Sequence, residues 1–265
     1  MLAAILREGL SDVVLIVSKV ALLVSADVPL VAGFGSISSR FTSAPSSWRT
    51  KPRIRDSVAR ATLGERTALL AYHWEHAGDA REAAKWHRQA AEWVGLNNPA
   101  EALRHWGSVR QLLDTLPETP EHLAERAAVR AQIMLDLARL GDLEDQAPSL
   151  FREGRELATR SGDPRVLSQV LNSFGHLRFF AGAGAEALDL LLEAVRRADE
   201  TEDIGLRVAV RDGLCQAYLH AGRLRECLAT AEEGLRLAEG NLDLGADRIG
   251  FSPSLGLSSF RGVAL

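Results

Sequence analysis

His73, Glu75 and His76 crowd into one short stretch and come nearest in this chain to a metal-ligand motif. A zinc-protease helix needs two histidines four apart with the glutamate beside the first. Here the histidines are three apart and the glutamate precedes the second, so a surface pair near a helix end is the reading. His87, His105, His122, His176 and His220 stand singly and read as structural histidines. Cys215 and Cys227 fall on the two helices of one hairpin and can approach each other, but Cys227 occupies a position where a neighbouring repeat has Ala187, which points to buried small residues. No Ser/His/Asp or Cys/His nucleophile arrangement is present in the sequence pattern. Gly33-Phe34-Gly35-Ser36 lacks the Gly-Lys-Ser/Thr ending of a phosphate-binding loop. The expectation is a chain without catalytic residues, cofactor or metal.

Recognition chemistry is the alternative to catalysis. Trp74, Trp86, Trp93 and Trp106 recur at helical spacing and read as core, with a ligand groove as the rival reading. Arg196, Arg197, Arg207, Arg211, Arg223 and Arg225 fall on successive predicted helices. If Arg196, Arg207, Arg211 and Arg223 share one side, they can hold an acidic peptide or a carboxylate terminus. The interleaved Asp199, Glu200, Glu202, Asp203, Asp212 and Glu226 favour an ordinary ion-paired surface instead. Net charge is −4, from 35 acidic against 31 basic residues, so no global field attracts nucleic acid or an anionic membrane. The short basic patch Arg49, Lys51, Arg53, Arg55 reads as solvated linker. Two cysteines and no spaced Cys/His set suit a reducing compartment, with the cytoplasm as the default.

The elements that must carry these residues repeat. From Phe179 to Ala198 and from Leu219 to Ala238, a turn (Ala181-Gly182, Ala221-Gly222) is followed by Glu186 or Glu226, Leu188 or Leu228, Glu193 or Glu233, and Ala198 or Ala238. Looser copies begin at Leu140-Gly141-Asp142 and at Ala77-Gly78-Asp79. A period of this length predicts stacked helical hairpins, none of which covers its apolar face alone. The expected fold is all-α, a right-handed superhelical array of antiparallel hairpins over residues 61–240. Asp79, Asn98-Pro99, Ser161-Gly162-Asp163-Pro164 and Thr201-Glu202-Asp203 are the predicted helix boundaries. Ala83, Trp86, Ala90 and Trp93 form one apolar stripe, and Ala128, Ala131, Leu135 and Ala138 another. The small residues at Ala187/Cys227, Ala194/Gly234 and Ala198/Ala238 predict close helix contacts.

The flanks differ. Residues 1–32 hold an aliphatic run from Val13 to Ala26, interrupted by Lys19, which falls short of a spanning helix. Its β-branched density leans towards a buried strand, with a buried helix and a secretory signal as the other readings. Residues 33–60 are rich in Ser, Arg, Gly and Pro and read as linker. Over 241–265 the apolar residues Phe251, Leu255, Leu257 and Phe260 are separated by Gly and Ser, giving an expected partial next repeat without a polar cap.

Leu69-Leu70-Ala71-Tyr72-His73-Trp74-Glu75-His76-Ala77-Gly78, followed by Glu82-Ala83-Ala84-Lys85-Trp86-His87-Arg88-Gln89-Ala90-Ala91-Glu92-Trp93, resembles the tetratricopeptide-type tail of large bacterial signalling proteins. These carry a class III adenylate/guanylate cyclase domain and a nucleotide-binding ATPase module ahead of that tail. Asn98 to Trp106, Ser161 to Arg165, and Ala246 to Pro253 fit the same region. Neither cyclase metal carboxylates nor an ATP-binding loop accompany them. The resemblance thus implies a regulatory scaffold fragment with a protein or peptide partner, and with cyclase or ATPase domains in cis or trans. A remnant of an ATP-dependent signalling enzyme and a small-molecule-sensing helical-repeat regulator are the alternatives.

Overall fold

The computed structural model describes residues 66–141 and 145–265. The expectations for residues 1–32 and 33–60 lie outside the described residues. The described chain is helical throughout. Helix α1 covers residues 66–76. It is followed by α2 (Ala80–Val94), a 3-10 turn (Gly95–Asn97), α3 (Pro99–Asp114), α4 (Pro120–Leu140), α5 (Ala147–Ser161) and α6 (Pro164–Phe180). Then come α7 (Gly184–Asp199), α8 (Ile204–His220), α9 (Leu224–Ala238), the short α10 (Ala246–Ile249) and α11 (Pro253–Ala264). From α2 to α9 each helix packs on its successor, α9 packs on α11, α10 packs on α8, and α4, α6, α8 and α11 also touch one another in series, so the helices form a consecutive array.

The boundaries follow from local chemistry. Asp79, Asn98, Thr119, Asp163, Asp203 and Ser252 each accept a hydrogen bond from a backbone N–H in the first turn of the helix that follows. Those N–H groups have no intrahelical partner, so a capping oxygen is worth about 1 kcal/mol each. Pro99, Pro120 and Pro164 sit in first turns, where the missing N–H costs nothing. Gly182 and Gly222 turn the chain between paired helices with φ of 80° and 70°, a left-handed conformation that disfavours a side chain.

The repeat positions do the packing. Ala187, Ala194, Ala198, Cys227, Gly234 and Ala238 are all buried. At Gly234 an added Cβ would lie 2.6 Å from Leu257 Cδ1, and at Gly175 it would lie 2.8 Å from Leu191 Cγ. These two glycines therefore set how closely α9 meets α11 and α6 meets α7. A larger cluster built on Trp106, Met134, Leu137, Leu150 and Phe174 binds the first half, and one built on Leu191, Leu214, Cys215 and Leu257 binds the second.

Among the tryptophans read as core, Trp106 is core, at 6% exposure, whereas Trp74 is exposed at 37%. Helix α4 departs from its expected stripe. Its buried residues include Leu123, Ala127, Val129, Ile133, Met134 and Leu137, together with Arg126, Arg130 and Asp136. Of the expected inward set, only Ala131 is fully buried, while Ala128, Leu135 and Ala138 are half-buried. The reason is that α4 has neighbours on three sides (α3, α5 and α6), so a single stripe does not describe it. Arg126 is buried because it serves main-chain carbonyls at the end of α3, donating to Leu113 at 2.9 Å, to Asp114 at 3.3 Å, and to Leu116. Arg130 joins α3 to α5, reaching Asp114 at 3.0 Å and Glu153 at 2.9 Å. The half-buried side of α4 faces a groove.

Candidate functional site: a groove on the α4, α6 and α8 face

A groove of about 730 Å³ runs along the faces of α4, α6 and α8. Its floor is Ala128, Gln132, Leu135 and Asp136 from α4, Gln169, Asn172 and Ser173 from α6, and Leu206, Ala209 and Val210 from α8. Trp93 and Val94 from α2, Trp106 from α3 and residues 246–250 complete its lining. Helical periodicity makes this alignment. Gln169, Asn172 and Ser173 are spaced by three and four and fall on one side of α6, as Ala128, Leu135 and Gln132 do on α4.

Side-chain amides, small methyls and one ion pair with a buried carboxylate give the groove its chemistry. Asp136 is 2% exposed and is held by Arg139 at 2.6 Å. Burial pushes its carboxyl up, and the Arg139 charge opposes that shift. Arg139 also donates from Nη2 to the main-chain oxygen of Ile249 at 2.8 Å, linking α4 to α10 across the groove. Glu92, also in the lining, is raised by burial, lowered by Arg88 and raised again by Asp247. Asn172 is 4% exposed, and its Oδ1 is buried without a hydrogen-bond partner among the described residues. His176, one turn further along α6, is pulled down to about 4 by burial and then by the Arg139 charge, so it is neutral at ordinary pH. Both Asn172 and His176 press on the bare Cα of Gly213 in α8.

The arginines expected to bind a partner stand elsewhere. Arg207 and Arg211 come together, and Asp199 is what joins them, at 3.1 Å and 2.9 Å. Arg211 is 6% exposed and also donates to the Arg207 carbonyl at 2.8 Å. Arg223 pairs with Glu226 at 2.9 Å and lies 4.8 Å from the centre of the Tyr218 ring. Arg196 is exposed on α7. None of the four lines the groove.

The histidines read as solitary are not all solitary. His87 on α2 and His105 on α3 meet through their Nδ1 atoms at 2.9 Å, and His87 Nε2 lies 3.3 Å from Glu75 Oε1. Burial and then the neighbouring His87 lower the pKa of His105. Eighteen residues separate the two rings in sequence, and only the α2–α3 crossing brings them together. His73 and His76 remain at the end of α1, exposed, with His76 Nδ1 bonded to the Tyr72 carbonyl at 2.8 Å. Cys215 and Cys227 are free and buried, and the Cys215 thiol, pushed up by burial, donates to the Cys227 carbonyl at 3.6 Å. Among the described residues no cluster of three or more His, Cys, Asp or Glu side chains has the arrangement to hold a metal ion. Among them, too, no helix is long and apolar enough to cross a membrane.

No protein-family model and no curated protein sequence matches this chain. Among solved structures, the crystal structure of BtubC (BKLC) from P. vanneervenii superimposes on 79% of this chain and 88% of that chain, with a TM-score of 0.53 and 12% sequence identity. That likeness is one of fold, an all-helical array built in the same consecutive manner.

Proposed function

We propose that this chain is a protein-interaction module that receives a peptide segment in the α4/α6/α8 groove. The observation that carries the proposal is the placement of Gln132 on α4 and of Gln169 and Asn172 on α6 along one groove lined by Ala128, Leu135 and Ala209. A side-chain amide donates and accepts at once, which matches the alternating N–H and C=O groups of a peptide main chain. The small apolar patches between the amides suit alternate side chains of an extended ligand. The resemblance of residues 69–93 to the repeat tail of cyclase–ATPase signalling proteins supports a regulatory setting for such a module.

The test is selection from a random-peptide display library on the full chain, followed by calorimetry of a selected peptide. Gln132→Ala and Gln169→Ala each weaken binding by about 1 kcal/mol, roughly fivefold, as expected for loss of one exposed hydrogen-bonding pair. Binding unaffected by both substitutions argues against the groove.

One observation favours a second reading, a small-molecule sensor. The groove volume of about 730 Å³ falls within the range of ligand pockets, and Trp93 and Trp106 are part of its lining. A metabolite that binds there changes tryptophan emission, and emission indifferent to a metabolite panel removes this reading.

A further inference from the structure

The link from α9 to α11 runs from Glu239 to Ser252, whereas the corresponding links before α6 and α8 are only Gly162–Asp163 and Glu200–Asp203. The additional residues do not loop outward. They fold onto the α4/α6/α8 face and place α10 as one wall of the groove. Three contacts hold them there. Arg248 reaches Asp203, the cap of α8, at 2.8 Å. Arg139 on α4 takes the Ile249 carbonyl at 2.8 Å, and the Ile249 residue is 5% exposed. Gly245, at φ +83°, lies so close to Gly205 that an added Cβ would overlap the Gly205 carbonyl and stand 3.3 Å from Ala209 Cβ. Each contact is local and modest, and Asp247 sits near Glu92, a like charge that raises the Glu92 pKa. The segment is therefore anchored at discrete points on a groove that extends beyond it.

We propose that the 239–252 link, one wall of the groove, competes with the incoming peptide for its seat on Arg139, Asp203 and Gly205, an inference that rests on reading the groove as a peptide site. The link shows what this seat accepts: a short turn with one buried aliphatic side chain and one main-chain carbonyl, both from Ile249, the carbonyl taken by Arg139. A partner with that pair of features displaces the link, and the apparent affinity falls by the fraction of time the seat is free. The device is an autoinhibitory contact built from an elongated inter-helix link.

The experiment uses the full chain and a fluorescein-labelled synthetic peptide spanning residues 241–252. Fluorescence anisotropy measures its binding to wild type, Ile249→Asp and Arg248→Ala, and hydrogen exchange follows residues 241–252 of each protein. Both substitutions lie on the link and leave the α4, α6 and α8 walls untouched. Arg248→Ala removes only the ion pairs to Asp203 and Asp247, which keeps the test in place if Ile249→Asp fails to fold. The expected result is faster exchange of residues 241–252 in the variants and peptide affinity at least about tenfold higher than in wild type, the release of a population held mostly closed. Faster exchange with affinity equal in all three proteins overturns the competition while leaving the groove as a peptide site. Faster exchange with no binding to any of them overturns the peptide-site reading itself, and unchanged exchange in both variants overturns the anchoring.

Discussion

The carboxyl of Asp212 on α8 occupies the space that a side chain would need at Gly256 on α11. Any Cβ at Gly256 overlaps Asp212 Oδ1, an atom that is buried and has no hydrogen-bond partner among the described residues. Leu257, fully buried in the next position, pins α11 to α8 and α9 and so holds this close approach in place. Gly256→Ala therefore forces α11 away from α8, with an expected loss of about 1–3 kcal/mol, the usual cost of overpacking a tight contact. Chemical denaturation of the variant against wild type measures it.

The same contact predicts a pH dependence. Burial raises Asp212 to about 7. A carboxyl whose folded-state pKa lies above its unfolded value binds more protons folded than unfolded, so its effect on stability is most favourable at low pH and fades as pH rises through the folded pKa. Stability measured from about pH 5 to about pH 8 falls more steeply in wild type than in Asp212→Asn. Parallel profiles contradict the assignment.

His105 and His176 act in the opposite sense. Both are lowered, His105 by burial and then by His87, and His176 to about 4 by burial and then by Arg139. Their contribution is complete above the ordinary histidine pKa of about 6.5 and is lost as pH falls through that value towards the folded pKa. NMR titration of the imidazole resonances places both midpoints below the ordinary histidine value of about 6.5. Replacing His105 with Gln removes part of the acid sensitivity of the melt.

Asp203 has two duties, and its removal reports on both. It caps α8 by accepting from Leu206 N at 2.9 Å, and it receives Arg248 at 2.8 Å. Asp203→Ala costs about 1 kcal/mol for the cap. It also speeds hydrogen exchange in residues 241–252, whereas loss of the equivalent cap Asp163, which holds no link residue, leaves that segment unchanged.

Much of this architecture is legible in the sequence because turns and caps are local. Gly182 and Gly222 need left-handed backbone, Asp79 and Asp203 need a free N–H three residues on, and each requirement is written within one turn of helix. The small residues Ala194 and Gly234 announced close contacts for the same reason. What could not be read locally depends on tertiary crossing. His87 and His105 face each other only because α2 and α3 cross where they do. That Asp199, of the interleaved acids, is the one to bridge Arg207 and Arg211 depends on how α7 meets α8. The link 239–252 carries no 3.6-residue apolar period, because one buried Ile249 between glycines has no periodicity to show. The groove itself was hidden inside the half-buried positions of α4, where a residue such as Leu135 looks like core in sequence and lines a surface in space.

Methyl NMR with a peptide selected on the full chain tests the central claim most directly. The Ala128, Leu135 and Ala209 methyls, which line the groove, are expected to shift on titration, while Ala187 of α7 and Ala231 of α9, both buried away from it, stay in place. Shifts confined to α7 and α9, with the groove methyls unmoved, would contradict the account and move the binding surface to the other side of the array.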